Sequence, residues 1–195
     1  MVEIVSALEP VYRRGAHGNR DGGSAITLWE TQPGSIVQVT SWPGKEGAAL
    51  AAINAAASLD VTADAGAGVF SDTRSAFGFA PGRWLMVDQA EGMGDTLRDR
   101  IDTQTGTVTD LSHGRTAIAI EGERAEWVLS KLFALDFSLA AFPVSVGKST
   151  AHHEFFTLIQ RTATDRFDLY VYRSFARSFW QLLCTSAEEV GYTVD

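Results

Sequence analysis

Apolar and polar residues alternate from Thr107 to Leu111 and again, on β-branched and small residues, from Thr116 to Ile120. Ser112-His113-Gly114 supplies turn residues between them, so the stretch TVTDLSHGRTAIAIEG predicts a strand, a kink and a second strand. A helix should follow. Ala125, Val128, Leu129 and Leu132 recur at helical spacing, with glutamate in the first turn and Lys131 in the last, as the helix dipole prefers. A continuous ribbon of this kind is expected in the middle of a sheet.

The same periodicities organise the rest of the chain. Ala25 to Trp29 and Ser35 to Trp42 read as strands joined by a turn at Gln32-Pro33-Gly34. Glu46 to Leu59 is an alanine-rich helix carrying Leu50, Ile53 and Ala57 on one face. Val69 to Phe79 and Arg83 to Val87 are apolar segments split by the turn Ala80-Pro81-Gly82, and Met93 to Gln104 pairs Leu97 with Ile101 at helical spacing. From Ser35 to Ile120 the order is therefore β-α-β-β-α-β, the split βαβ arrangement. Ala151 to Arg161 and Phe167 to Tyr172 predict two further strands around a hairpin at Thr162 to Arg166. The last helix is predicted from Ser174, as its N-cap, to Val190, with Phe175, Phe179, Leu182, Leu183 and Ala187 as its stripe and Gly191 beyond its end. A second β-α-β-β-β-α unit thus follows the first. The fold class is α+β, built of two fused split-βαβ, ferredoxin-like half-domains. Residues 1–24, polar and glycine-rich from Val11 to Ser24, are expected to form a flexible N-terminal arm that orders on a partner. Residues 25–195 should form one compact domain with halves 25–114 and 115–195.

Composition narrows the function. The chain has 195 residues, 45% of them apolar, which is ample for a packed core. A formal net charge of −8, with no run of Lys or Arg, argues against a nucleic-acid partner. The lone Cys184 excludes an internal disulfide and any multi-cysteine metal site, which suits a reducing cytosol. No apolar run reaches 18 residues, and the N-terminus lacks the basic start and apolar stretch of a signal peptide. The expectation is a cytoplasmic protein with no membrane partner.

Candidate chemistry is sparse. Asp110, Ser112 and His113 are the residue types of a hydrolytic triad, but neighbours on a strand point to opposite faces and no G-x-S-x-G elbow occurs. They read instead as a strand-end turn in which Ser and His satisfy backbone groups. His152-His153-Glu154 has the wrong spacing for a chelate on a strand, so no metal site is expected. Neither G-x-G-x-x-G nor a P-loop occurs, and Gly147-Lys148-Ser149 lacks the earlier glycine. Cys184 lies beside an apolar stripe with no base, as a small hydrophobe would. The five tryptophans, Trp29, Trp42, Trp84, Trp127 and Trp180, are assigned to the core and to subunit contacts. Arg173 and Arg177 stand at the positive end of the last helix and Glu188 and Glu189 at its negative end, against the dipole; they read as screened surface charge or as contacts to a partner subunit.

Several stretches, taken in order, resemble the γ subunit of heterotetrameric sarcosine oxidase. They are Gly78-Phe79-Ala80-Pro81-Gly82-Arg83-Trp84-Leu85, Thr109 to Thr116, Leu135-Asp136-Phe137 with Phe142-Pro143, and Phe167 to Val171 with Arg173-Ser174-Phe175 and Phe179-Trp180. That family is similar to the folate-binding domain of the glycine-cleavage aminomethyltransferase, whose Asp-Val-Ser-His-Met element corresponds to Asp110 to Gly114, with Gly114 in place of the methionine. The resemblance implies a non-catalytic subunit of a complex that oxidatively demethylates sarcosine to glycine and passes the one-carbon unit to tetrahydrofolate or releases it as formaldehyde. It implies alpha, beta and delta subunits as partners, with FAD, FMN, NAD and tetrahydrofolate on those partners, zinc on the delta subunit, and no cofactor on this chain. No catalytic residue is assigned. The alternative is a stand-alone tetrahydrofolate-binding one-carbon transfer protein, for which Trp84, Asp110 and Asp168 are the candidate pocket residues. A folate-dependent iron–sulfur assembly factor is disfavoured, because the K-G-C-Y-type motif of that group is missing.

Overall fold

The computed structural model describes residues 5–19, 23–64 and 66–195. Its strands and helices, in chain order, are β1 (Gly15–His17), β2 (Ile26–Thr31), β3 (Ser35–Ser41), α1 (Glu46–Ala57), β4 (Gly68–Phe70), β5 (Arg74–Ala80), β6 (Arg83–Asp88), α2 (Met93–Arg98), β7 (Gly106–Asp110), β8 (Arg115–Glu121), α3 (Ala125–Leu132), β9 (Gly147–His152), β10 (Phe155–Ala163), β11 (Arg166–Tyr172), α4 (Ala176–Ala187) and β12 (Tyr192–Val194). Two compact units result. One comprises residues 1–31, 115–143 and 150–195, the other 32–114 and 144–149. Among the described residues no helix is long and apolar enough to cross a membrane.

The second unit holds a five-stranded sheet in the order β4-β5-β6-β3-β7. With the three-residue edge strand β4 set aside, β3-α1-β5-β6-α2-β7 has the order second-third-first-fourth, the split-βαβ sheet predicted from the pattern, to which β4 is an addition. Val37 and Val39 on β3 and Trp84 and Met86 on β6 share one face. They form a core with Ala49, Ile53 and Ala57 of α1 and Met93 and Leu97 of α2. The small residues of α1 allow it to approach the sheet closely.

The first unit repeats the scheme with one exchange. Its seven-stranded sheet runs β1-β12-β2-β8-β11-β10-β9. Strands β8, β10 and β11 fill the first, second and third positions, but the fourth, beside β8, is taken by β2 from the N-terminal end of the chain, antiparallel to β8. The strand that follows α4, β12, is displaced outward and pairs parallel with β2. Gly191, at φ 71°, makes the turn into β12; a Cβ there would lie 2.2 Å from the Asn19 carbonyl oxygen.

The structure corrects several expectations. Thr107 to Ile120 is not one ribbon within a sheet: β7 ends the five-stranded sheet and β8 sits inside the seven-stranded one. The burial patterns give the reason, since β7 exposes Thr107, Thr109 and Asp110 while Arg115 to Ile120 are all buried. Likewise β2 and β3 belong to different sheets, so Gln32-Pro33-Gly34 is a crossing and not a hairpin turn. The apolar run from Val69 to Phe79 is a hairpin, β4 and β5, turned by Ser71, whose Oγ accepts from the Arg74 N–H at 3.2 Å. Helix α2 stops at Arg98, and the Asp102 carboxylate then accepts from the Gln104 and Thr105 N–H groups to turn the chain into β7. Ser174 makes no side-chain cap; a 3-10 turn, Arg173–Phe175, precedes α4.

The segment expected to be a free arm is folded over its described part, residues 5–19. Leu8 is fully buried and β1 pairs with β12. Tyr12 stacks on Trp180 at 5.1 Å between centroids; its hydroxyl donates to the Asp195 carbonyl at 2.6 Å and accepts from the Glu30 N–H at 3.3 Å. Two arginines clasp the segment, Arg173 donating to the Val5 carbonyl and Arg177 Nε to the Ala7 carbonyl at 2.9 Å. The cations that oppose the dipole of α4 are thus used within the chain. At its other end Glu189 pairs with Lys131 at 2.9 Å. A polar, glycine-rich sequence hides this folding because the bonds join it to residues some 170 positions away. The rest of the expected arm, residues 1–4 and 20–22, lies outside the described residues.

Candidate functional site

Trp84, Asp110 and Asp168 do not converge within one unit. Trp84 lies opposite Val39 on the helix-covered face of the five-stranded sheet and is 4% exposed, a core residue under α1 and α2. Asp110 lies on the same face, opposite Val37 on β7, with β3 between it and the strand of Trp84. Its Oδ1 accepts from the Ser112 N–H at 2.9 Å and the Ser112 hydroxyl at 2.6 Å. Ser112 Oγ in turn accepts from the Ile36 N–H at 3.0 Å. Ser112 therefore satisfies a backbone group at a strand end, and His113 is exposed. Burial raises the Asp110 carboxyl, but the Ser112 hydroxyl and N–H, with Arg98 and His113 nearby, outweigh it and hold the group below the usual carboxylate range.

Asp168 belongs to the other unit, on β11. Thr162 Oγ1 donates to it at 3.0 Å and Arg166 Nη2 at 3.2 Å, while the Arg166 guanidinium lies 5.0 Å from the Trp29 ring centroid. Burial pushes this carboxyl up in spite of Arg166 and Thr162. His152, the last residue of β9, and His153, the first of the turn into β10, meet edge to face at 4.6 Å, with His153 at φ 51°. Among the described residues no group of three His, Cys, Asp or Glu is placed to hold a metal ion.

Sequence reasoning missed two clusters, both in the first unit. Arg161, fully buried on β10, is the hub of one. Its Nη1 donates to the Phe137 and Phe142 carbonyls at 2.7 and 3.0 Å, its Nε to those of Ala163 and Thr164 at 3.3 and 3.1 Å, and its Nη2 to Glu126 and Thr164. The guanidinium also covers the Phe167 ring at 4.8 Å. An arginine on the inward parity of an apolar strand is the signal that would have found it. The irregular segment after α3 is anchored here.

The other cluster is a cleft of about 450 Å³ lined by Pro10, Val11, Arg13 and His17 from the N-terminal segment, by Trp180, Gln181, Cys184 and Thr185 from α4, and by Tyr192 and Val194 of β12. His17 stacks on Tyr192 at 5.1 Å, and its Nε2 sits 2.8 Å from the Arg13 carbonyl oxygen. Cys184 and Tyr192 share a hydrogen bond; burial pushes the thiol up to about 11 and raises the phenol as well. At neutral pH the sulfur is a protonated thiol, not a nucleophile. The cleft offers aromatic stacking surfaces at His17, Trp180 and Tyr192 and hydrogen-bonding groups beside them.

A family model described as "Sarcosine oxidase, gamma subunit family" matches residues 44–189. The chain belongs to that family. Solved structures place the family's fold. One is a chain of the heterotetrameric sarcosine oxidase from Corynebacterium sp. U-96 in complex with pyrrole 2-carboxylate, with TM-score 0.76, 24% identity and 87% of each chain covered. Another is the glycine cleavage system aminomethyltransferase T from Bartonella henselae, with TM-score 0.57 and 16% identity over 88% of this chain and 48% of that one. This family member therefore spans about half of aminomethyltransferase T and has its α+β fold. No curated protein is matched by sequence.

Proposed function

We propose that this chain is a non-catalytic structural subunit of a sarcosine oxidase complex, which demethylates sarcosine oxidatively to glycine with one-carbon transfer to tetrahydrofolate. Its partners are alpha, beta and delta subunits, and those partners carry FAD, FMN, NAD and tetrahydrofolate. The complex is cytoplasmic. The observation that carries the proposal is the family match across residues 44–189. The site geometry agrees with a structural role, because the side chains singled out for chemistry are tied into the fold: Asp110 into a strand-end turn, Asp168 into an ion pair on its own strand, and Cys184 into a bond with Tyr192 at high pKa. The subunit would buttress its neighbours.

The test is co-expression with the neighbouring reading frames and capture of this chain, together with sarcosine oxidation assays and tetrahydrofolate titration of the chain alone. Recovery of flavin-bearing partners, with oxidation only in the assembled complex and no folate bound by the free chain, is expected. Oxidation by the isolated chain would overturn the reading. Saturable folate binding by the chain alone, without partners, would favour the stand-alone one-carbon transfer protein, with Trp84, Asp110 and Asp168 as the first residues to probe.

A further inference from the structure

The two sheets share the strand order second-third-first-fourth, and they differ at the outer edge of the fourth strand. In the seven-stranded sheet that strand, β2, is covered by β12 through the register Tyr192 to Ile26, Thr193 to Thr27 and Val194 to Leu28. In the five-stranded sheet the fourth strand, β7, ends the sheet, and among the described residues no strand pairs with its outer side. The bonds to β3 fix which backbone groups face outward. The Leu111 N–H donates to the Ile36 carbonyl at 2.7 Å and the Trp42 N–H to the Thr105 carbonyl at 3.0 Å. Odd-numbered residues of β7 therefore direct their backbone groups to β3, and Val108 and Asp110 turn theirs to the open edge. Thr107 and Thr109 are exposed, and the edge carries no proline, lysine or bulge that would blunt it. Residues 89–114, which hold α2, β7 and their flanks, contain five carboxylates (Glu91, Asp95, Asp99, Asp102, Asp110) against two arginines (Arg98, Arg100).

We propose that the outer edge of β7 is an assembly surface, which takes an extended, Lys/Arg-bearing strand of a partner subunit by main-chain pairing with Val108 and Asp110. This rests on the proposed membership in a multisubunit complex. A strand there would complete the sheet as β12 completes its counterpart. The net negative charge of the flanks selects a basic strand over an acidic one.

Residue-resolved hydrogen exchange on the assembled wild-type complex gives the direct test. The Val108 and Asp110 amides should exchange as slowly as those of Thr107 and Thr109. Rapid exchange of the first two beside slow exchange of the second two would overturn the proposal. Val108→Pro removes an outward N–H, leaves the bonds to β3 and replaces a half-buried side chain that packs against the core; with its fold checked by circular dichroism, its recovery with tagged partners should fall about tenfold or more. The double variant Thr107→Lys, Thr109→Lys keeps every backbone group and places charges along the edge; it too should lower recovery, more so at low salt. Folded variants that assemble as wild type does would sink the edge assignment while leaving the complex intact. If the wild-type chain recovers no flavin-bearing partner, both the complex and the edge assignment fall.

Discussion

At the scale of single residues, the most informative side chain is Arg161. It is fully buried, yet its partner Glu126 keeps 41% of its side-chain surface exposed, so the pair is not the centre of the interaction. The centre is the set of carbonyls at Phe137, Phe142, Ala163 and Thr164 that the guanidinium holds at once. Arg161→Met leaves them without their donor, at a cost of roughly 3–5 kcal/mol. A chain of this size should then lose about 6–20 °C in melting temperature. Arg161→Lys should recover only part of the loss, because an ammonium cannot span four acceptors, whereas Glu126→Gln should be almost neutral. If Glu126→Gln costs as much as Arg161→Met, the ion pair and not the carbonyl set anchors the segment. Two carboxylates make opposite pH predictions. The folded pKa of Asp110 is lowered, so its contribution to stability is fully present above the ordinary value of about 3.9 and is lost as pH falls through the folded value. Asp168 is raised, so the native state binds its proton more readily than the unfolded chain, and stability falls as pH climbs from about 3.9 through the raised value. Carboxyl ¹³C titration should find Asp110 low and Asp168 high, and Ser112→Ala should lift Asp110 alone. An unmoved Asp110 in that variant would show that Ser112 does not hold it.

At the scale of elements, the sequence pattern carried most of the strands and helices because their periodicity is local. The helices α1 and α3 and the strands β3, β6, β7, β8 and β11 lie within a residue or two of where apolar spacing puts them. What the pattern could not carry is which strands pair. An alternation such as Ile26 to Thr31 is satisfied beside any strand with a complementary face, and the choice of β8 over β3 is made by sequence-distant burial. The same limit hid β1 and β12, three residues each, too short for a period to register. It also hid the candidate cleft, four of whose ten lining residues come from the N-terminal segment, whose composition argues for disorder. Arg173 and Arg177 illustrate the point in reverse. Their conflict with the helix dipole was visible in sequence, and its resolution, two backbone carbonyls of the N-terminal segment, was visible only in three dimensions.

At the scale of the whole molecule, the chain passes between its two compact units four times, after residues 31, 114, 143 and 149. Strand β9 itself begins in one unit, at Gly147, and ends in the other, at His152. The Gly147 N–H donates to the Gly66 carbonyl at 2.9 Å, and a Cβ at Gly147 would stand 1.9 Å from Cδ2 of Phe77, which is fully buried on β5, on the face of the sheet opposite Ala76 and Trp84. Gly147→Ala therefore strikes this buried ring directly, at a cost of roughly 2–3 kcal/mol. Because β9 is also an outer strand of the seven-stranded sheet, displacing its start loosens its continuation against β10. Residues 147–149 of this strand belong to the five-stranded unit and residues 150–152 to the other, so the backbone of one strand is common to both. Thermal unfolding should accordingly be one transition, with calorimetric and van't Hoff enthalpies in agreement, reported alike by Trp84 in one unit and Trp180 in the other. Gly147→Ala should lower that single midpoint by about 4–12 °C for both reporters. Two resolved transitions, with only the one seen by Trp84 displaced, would mean that the crossings of the chain do not couple the units and that each is a folding unit of its own.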